Sequence, residues 1–303
     1  MIDEFLNYLR YERNRSARTV EAYGSDLRSF EAFFKNLEGQ LSWESVDSDV
    51  IRDWMESMMD KGNTATSINR RLSAVRSIYR FALLRELVTK DPARGITGPK
   101  RKKLLPNYLR EQELDRLLAD EMWEDAEDDY KKIRARTILL TFYSTGIRLS
   151  ELTGLDDGSV DFVNKQLKVL GKGDKERIVP FGDELCRALH DYVRVRNREM
   201  GPQAEALFVT DKGERMTSQQ VRREVQRQLS RVCTLKKRSP HVLRHSFATA
   251  MLNHEAGIES VKKLLGHASL STTEIYTHTT FEQLKKAYTK AHPRAGRNLQ
   301  VDG

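Results

Sequence analysis

Arg148, Lys172, His241, Arg244, His267 and Tyr276 fall in four short motifs of the second half of this chain. The motifs are Ser144-Thr-Gly-Ile-Arg-Leu-Ser-Glu-Leu152, Gly171-Lys-Gly-Asp-Lys-Glu-Arg177, His241-Val-Leu-Arg-His-Ser-Phe-Ala-Thr249, and Leu264-Leu-Gly-His267 followed by Thr272-Thr-Glu-Ile-Tyr-Thr-His278. Two arginines, a lysine and two histidines offer positive charge and donors to a phosphate, and a tyrosine can attack it. Exchange at a phosphodiester builds negative charge on the non-bridging oxygens of a pentavalent transition state. Preorganised cations aimed there lower the barrier. Arginine suits the task because its planar fork makes paired hydrogen bonds and stays charged. A covalent phosphotyrosine conserves the bond energy, so a second DNA end can reverse the attack. The set therefore points to DNA strand cutting and rejoining without metal or water.

Each residue also has a plainer reading. Arg148 precedes a helix carrying Leu149, Leu152 and Leu155, and it can pair with Glu151 or Glu184. His241 and Arg244 are three apart and share a helix face, behind the helix start Ser239-Pro240; such a pair also occurs around a core histidine. A helix start there adds its own N–H groups for an anion. Lys172 sits between two glycines in a hairpin turn, where it can deliver a proton to a leaving oxygen. Lys175 in the same turn is its rival, and either can be a solvated turn lysine. Tyr276 needs nearby cations, since a phenol with a pKa of about 10 attacks poorly; an isolated tyrosine is more often core. His278 is a weaker candidate.

These residues need elements to hold them. Ile2, Phe5, Leu6 and Leu9 recur at helical spacing. Ser16 or Thr19 can cap a helix bearing Val20, Tyr23, Leu27, Phe30 and Phe34. Asp47 opens a third, with Val50, Ile51, Trp54, Met55 and Met58 facing inward; Thr64 opens a fourth, through Ile68, Leu72, Val75, Ile78 and Phe81. Four amphipathic helices predict a bundle over residues 1–92. Its surface is basic: Arg13, Arg15 and Arg18 cluster before the second helix, and Arg70, Arg71, Arg76 and Arg80 lie along the fourth. The fourth helix is expected to contact phosphates. Residues 93–106 read as an extended linker with four consecutive basic residues, Lys100, Arg101, Lys102 and Lys103, which can follow a phosphate backbone. A second domain is expected over 107–303. In it, Glu111–Leu118 and Tyr130–Tyr143 read as helices and Gln166–Leu170 and Arg177–Pro180 as strands. Further helices start at Asp183, Thr217, Pro240 and Ile258, and Phe281–Tyr288 forms a last amphipathic one. The expected fold class is mainly α with one small β-sheet.

With 303 residues, 39% hydrophobic and 32% charged, the chain can bury two cores under a solvated surface. A net charge of +8 favours a polyanionic partner. No apolar run reaches the roughly 18 residues of a membrane span, so no membrane partner is expected. The acidic, amphipathic start Met1-Ile-Asp-Glu-Phe does not read as a signal peptide. Cys186 and Cys233 fit no disulfide or zinc pattern and read as buried small hydrophobes, with the cytoplasm the simplest setting. The acidic run Glu121–Asp129 lacks the glycine of a calcium loop, and no Gly-rich ATP loop is present; no metal or other cofactor is expected.

Arg, Lys, His-x-x-Arg, His and Tyr in this order resemble the tyrosine recombinase (phage integrase) family over nearly the whole chain. The basic bundle resembles the family's N-terminal, SAM-like core-binding domain, and residues from about 107 onward its catalytic domain. Ser144–Arg148, Gly171–Arg177, His241–Thr249 and Leu264–Thr273 are similar to the Xer branch. Gly158-Ser159 and Asn253-His254-Glu255 depart from the family's usual pattern, outside the six residues. The resemblance implies that Tyr276 forms a 3′-phosphotyrosine and releases a 5′-hydroxyl. Arg148, Arg244 and His267 would bind the non-bridging oxygens, Lys172 would protonate the 5′-oxygen, and His241 would handle the tyrosine proton. It implies double-stranded DNA at a specific recombination site as partner, and a Holliday junction held by a homotetramer or by a heterotetramer with a related recombinase. An activating DNA translocase is a further implied partner, and chromosome dimer resolution the implied role. The terminal helix, through Phe281, Leu284 and Tyr288, would dock on a neighbouring protomer. Rival readings are a mobile-element integrase or DNA invertase, a type IB topoisomerase, and a DNA-binding protein without catalysis.

Overall fold

The computed structural model describes residues 1–37, 41–100, 108–123, 129–171, 175–201, 205–235, 238–266 and 278–295, without the side chains of 278–281. The chain divides into two compact units, Met1–Leu104 and Leu105–Gly303.

The first unit holds α1 (Ile2–Asn7), α2 (Ala17–Lys35), α3 (Ser48–Asp60) and α4 (Ala65–Leu84). Three helices start where the polar residues called for a start. Ser16 Oγ accepts from the Thr19 amide at 3.3 Å, Asp47 Oδ1 from the amides of Asp49 and Val50 at 2.9 and 3.0 Å, and Thr64 Oγ1 from Ser67 at 3.3 Å. Each such cap is worth about 1 kcal/mol. Phe5, Leu27, Phe30, Phe34, Ile51, Ile68, Leu72 and Ile78 are fully buried and form the core, as their spacing predicted. The first helix departs from a simple 3.6 period. After Asn7 it widens into a π turn over Tyr8–Glu12, closed by Arg13 N–H to Tyr8 O at 3.0 Å.

In the second unit come α5 (Glu111–Leu118), α6 (Tyr130–Thr145), α7 (Leu149–Thr153), β1 (Val160–Asp161), β2 (Gln166–Leu170) and β3 (Glu176–Pro180). They are followed by α8 (Asp183–Met200), α9 (Ser218–Leu229), α10 (Pro240–Asn253), α11 (Ile258–Leu265) and α12 (His278–Ala291). The sheet is antiparallel in the order β1-β2-β3, with Leu167 opposite Val179 and Leu170 opposite Glu176. Strand β1 was not read from sequence; two residues are too few to show alternation. Helix α6 is the hub, packed by α8, α9 and α10. It is buried nearly all round, so the hydroxyls of Thr137 and Thr141 donate back to Ile133 O and Thr137 O at 2.8 and 2.7 Å.

Within the single chain, Leu284 and Tyr288 are buried in this unit's own core, because α12 packs on α10, α11 and β3; the Phe281 side chain lies outside the described residues. The chain continues past α12 into a buried tail. His292, enclosed by the rings of Tyr143, Phe247 and Tyr288, lies 3.2 Å from Tyr143 O through Nε2. Arg294 is 5% exposed and pairs with Glu184. Cys233 is buried as expected, whereas Cys186 is only partly so.

Candidate active site

Helix α6 ends at Gly146, whose φ of +61° favours glycine. A Cβ there would also sit 2.4 Å from the Phe247 ring, so the turn is closed to side chains. It delivers Arg148 to the N-cap of α7. The Arg148 backbone N–H donates to Glu151 Oε2 at 2.6 Å, and its Nη1 to Glu151 Oε1 at 2.8 Å. Its Nη2 donates to Gly266 O at 2.6 Å. Arg148 therefore does take the Glu151 partner, and still leaves 32% of its side chain exposed. Glu184 is engaged elsewhere, by Arg294.

Arg244 reaches the same place from α10. Its Nη1 donates to Gly146 O at 2.5 Å and its Nη2 to Leu265 O at 2.7 Å. Arg148 and Arg244, far apart in sequence, thus meet on adjacent carbonyls, those of Gly266 and Leu265. Burial and, after it, the positive charge of Arg148 together push Arg244 down to about 10, with Glu151 opposing. It remains charged at neutral pH. Two like charges held side by side, one largely desolvated, make a place where an added anion is favourable.

Glu151 is the counter-ion of this site. Its side chain is 1% exposed. Four donors hold it ionised against the burial that raises it, so its carboxyl lies down at about 2; Arg177 contributes most, then Arg148. Arg177 had no role in the sequence reading. It is 6% exposed and forks onto Glu151, Nη1 to Oε1 at 2.7 Å and Nη2 to Oε2 at 2.9 Å. A signal was present: Arg177 is on the inward face of β3 with Val179, where a charge is rarely found unless paired.

His241 is exposed on the first turn of α10, one turn before Arg244 and on its face. Lys175 is exposed beside β3, and its carbonyl accepts from Gly171 N–H at 2.8 Å to close the hairpin end. Lys172, His267 and Tyr276 lie outside the described residues, as do Lys102 and Lys103. In the first unit, Arg70 and Arg71 share one buried carboxylate. Arg70 Nη2 donates to Asp26 Oδ1 at 2.9 Å, and Arg71 Nε stands 3.6 Å from that oxygen. Arg70 keeps 46% of its side chain exposed and Arg71 27%. Arg76 donates to Ile96 O. Among the described residues no His, Cys, Asp and Glu cluster is placed to hold a metal ion, and no helix is long and apolar enough to cross a membrane.

The second unit is mainly helical with a three-stranded antiparallel sheet, and Arg148 and Arg244 converge on adjacent carbonyls at the end of α11. Comparison with known proteins gives the class. The profile described as "Phage integrase family" matches residues 107–283, and that of "Phage integrase, N-terminal SAM-like domain" matches residues 2–86. "Tyrosine recombinase XerC" of Chlorobaculum tepidum is 39% identical over 317 residues, covering 97% of this chain and 94% of that protein. The protein of the same name from Vibrio vulnificus (strain YJ016) is 36% identical over 294 residues, covering 97% and 91%. The structure of XerH site-specific recombinase bound to palindromic difH substrate, a post-cleavage complex, matches with a TM-score of 0.69 at 23% identity, over 95% of this chain and 84% of that one. The chain belongs to the phage integrase family, in the Xer branch of the tyrosine recombinases. It is a site-specific DNA recombinase.

Proposed function

We propose that this protein resolves joined chromosomes by strand exchange at a specific site, through a 3′-phosphotyrosine on Tyr276. The observation that carries the chemistry is the convergence of Arg148 and Arg244 on neighbouring carbonyls of the α11 end, with the Arg244 charge desolvated. Those guanidiniums bind the non-bridging oxygens of the scissile phosphate, joined by His267. Tyr276 attacks the phosphorus as its proton passes to His241. The bond to the 5′-oxygen breaks, and Lys172 supplies the proton that makes it a 5′-hydroxyl. Reversal by the 5′-hydroxyl of another duplex reseals the strand, so no external energy source enters.

Two such exchanges pass through a Holliday junction, which needs four active sites. The working assembly is a tetramer on two duplexes, of this chain alone or with a related recombinase. A DNA translocase is a fitting activator, since two sites on one chromosome dimer must be brought together, and the cytoplasm is the fitting place. The chromosomal role rests on the resemblance of the motifs to the Xer branch; the relatives named "Tyrosine recombinase XerC", which match over nearly their whole length, support that branch. Arg70, Arg71, Arg76, Lys102, Lys103 and Lys175 are proposed to contact the DNA backbone.

Trapping the covalent complexes on genomic DNA and sequencing their ends tests this reading. Ends from a single chromosomal locus are expected. Ends confined to mobile elements would make the protein an integrase or invertase. Relaxation of plasmid lacking any recombination site would indicate a topoisomerase.

A further inference from the structure

Three guanidiniums meet at the end of helix α11. Arg177 Nε donates to Leu264 O at 3.2 Å, Arg244 Nη2 to Leu265 O at 2.7 Å and Arg148 Nη2 to Gly266 O at 2.6 Å. Three consecutive carbonyls at a helix C-terminus, its negative pole, thus each take a different arginine. Only two of the three belong to the phosphate site proposed above. The third, Arg177, is buried and places its fork on the carboxylate that holds Arg148. It also shapes the turn. Gly266 has a φ of +64°, and a Cβ there would come within 3.0 Å of the Arg177 guanidinium carbon.

We propose that Arg177 is a positioning residue of the strand-transfer reaction: by forking Glu151 and capping Leu264, it sets the place of Arg148 and of the turn at Gly266. The assignment rests on the phosphate-site reading of Arg148 and Arg244. The arrangement divides the work. One carboxylate faces Arg148 and Arg177, and a single negative charge cannot neutralise both cations and Arg244 as well. Glu151 takes Arg177 through both oxygens, and Arg148 is left held but under-neutralised, which suits it to receive a phosphate. If Arg177 is absent, Glu151 is free to close on Arg148 with both oxygens, and the cation turns from substrate to its own counter-ion.

Among the described residues, the charged groups facing Glu151 are Arg148 on its own helix start, Arg177 from β3 and Arg244 from α10. Lys168 and Glu176 line the adjoining cavity but pair with each other at 2.9 Å.

The test is single-turnover formation of the covalent adduct on a nicked suicide substrate. It compares wild type, Arg177→Lys and Arg177→Gln, with DNA affinity and thermal melting recorded for each. Arg177→Lys keeps a buried cation but loses the fork. It is expected to fold, to bind DNA within about threefold of wild type, and to cleave about 100-fold more slowly, the loss typical of a small misplacement of a reacting group. Arg177→Gln removes the main cation on Glu151 and leaves Arg148 as its partner, so its carboxyl rises from the wild-type position and an acid limb absent from wild type should enter the pH–rate profile. Wild type should show no such limb from Glu151, which its partners hold near 2. A folded Arg177→Lys protein that cleaves at the wild-type rate overturns the proposal. So does a slow Arg177→Gln protein whose pH–rate profile keeps the wild-type shape, since that is loss of packing alone. Absence of adduct in the wild-type lane would instead overturn the phosphate-site chemistry, and the two failures are read from different lanes.

Discussion

Glu151→Gln is the sharpest perturbation of the site, because it removes one charge and keeps the shape. The carboxylate is 1% exposed and its main partner, Arg177, 6%, so solvent screens the pair little. It accepts from Arg177 at 2.7 and 2.9 Å and from Arg148 at 2.6 and 2.8 Å. Its ordinary value of 4.5 falls to about 2 on folding. A difference of about 2.5 units is about 3 kcal/mol of preference for the ionised form in the folded protein. Loss of one partner from a buried ion pair costs about 3–5 kcal/mol by a separate route, so the two figures agree. The folded value is the lower one. The contribution is therefore complete above pH 4.5 and disappears as pH falls from there through about 2. The neutral amide cannot lose it twice. Urea unfolding followed at Trp123, which is buried in the second unit, should show Glu151→Gln about 3 kcal/mol less stable at pH 7, with the gap closing toward pH 3. A loss below about 1 kcal/mol at pH 7 would refute the reasoning. So would a gap that stays constant with pH.

Other expectations concern the tail, the α6 turn and the basic bundle. His292 is fully enclosed and burial pushes it down to about 3; its Nδ1 accepts from Arg294 N–H at 3.2 Å, leaving Nε2 as donor to Tyr143 O. Its depressed value means stability is lost as pH falls from 6.5 toward 3, by about 1.4 kcal/mol per pH unit, so melting temperatures of wild type between pH 7 and 5 should fall more steeply than those of His292→Gln. Gly146→Ala forces a Cβ to 2.4 Å from Phe247 at a φ of +61°; melting should reveal a loss of about 2 kcal/mol or more, and adduct formation should slow because Gly146 O is an Arg244 acceptor. Arg70→Gln should reduce the slope of log affinity against log salt by about 1 if Arg70 meets a phosphate. An unchanged slope would leave Arg70 as the partner of Asp26 alone.

Much of the fold was legible because its signals are local. Ser16, Asp47 and Thr64 cap the helices they precede, and the apolar stripes behind them are the observed core. The strand Gln166–Leu170 alternates in burial as its sequence alternates. What stayed hidden depends on distance in three dimensions. The choice of Arg148 between Glu151 and Glu184 was open in sequence, and Arg294, 110 residues from Glu184, decided it. Arg177 looked like the end of a turn motif; only its side-chain bonds in the folded chain show that it bridges Glu151 and Leu264. The amphipathic stripe of α12 does not name its partner in sequence; within the single chain Leu284 and Tyr288 find theirs in the same unit.

The central claim is that strand cleavage is carried by Tyr276 on a phosphate held by Arg148 and Arg244. The most direct measurement is to incubate the protein with nicked DNA bearing its site in EDTA and to look for an adduct that survives denaturation. Formation of that adduct by wild type, its loss in Tyr276→Phe and its joining through a 3′-phosphate are predicted. An adduct that persists in Tyr276→Phe, or cleavage by folded wild type that requires a divalent metal, would contradict the account.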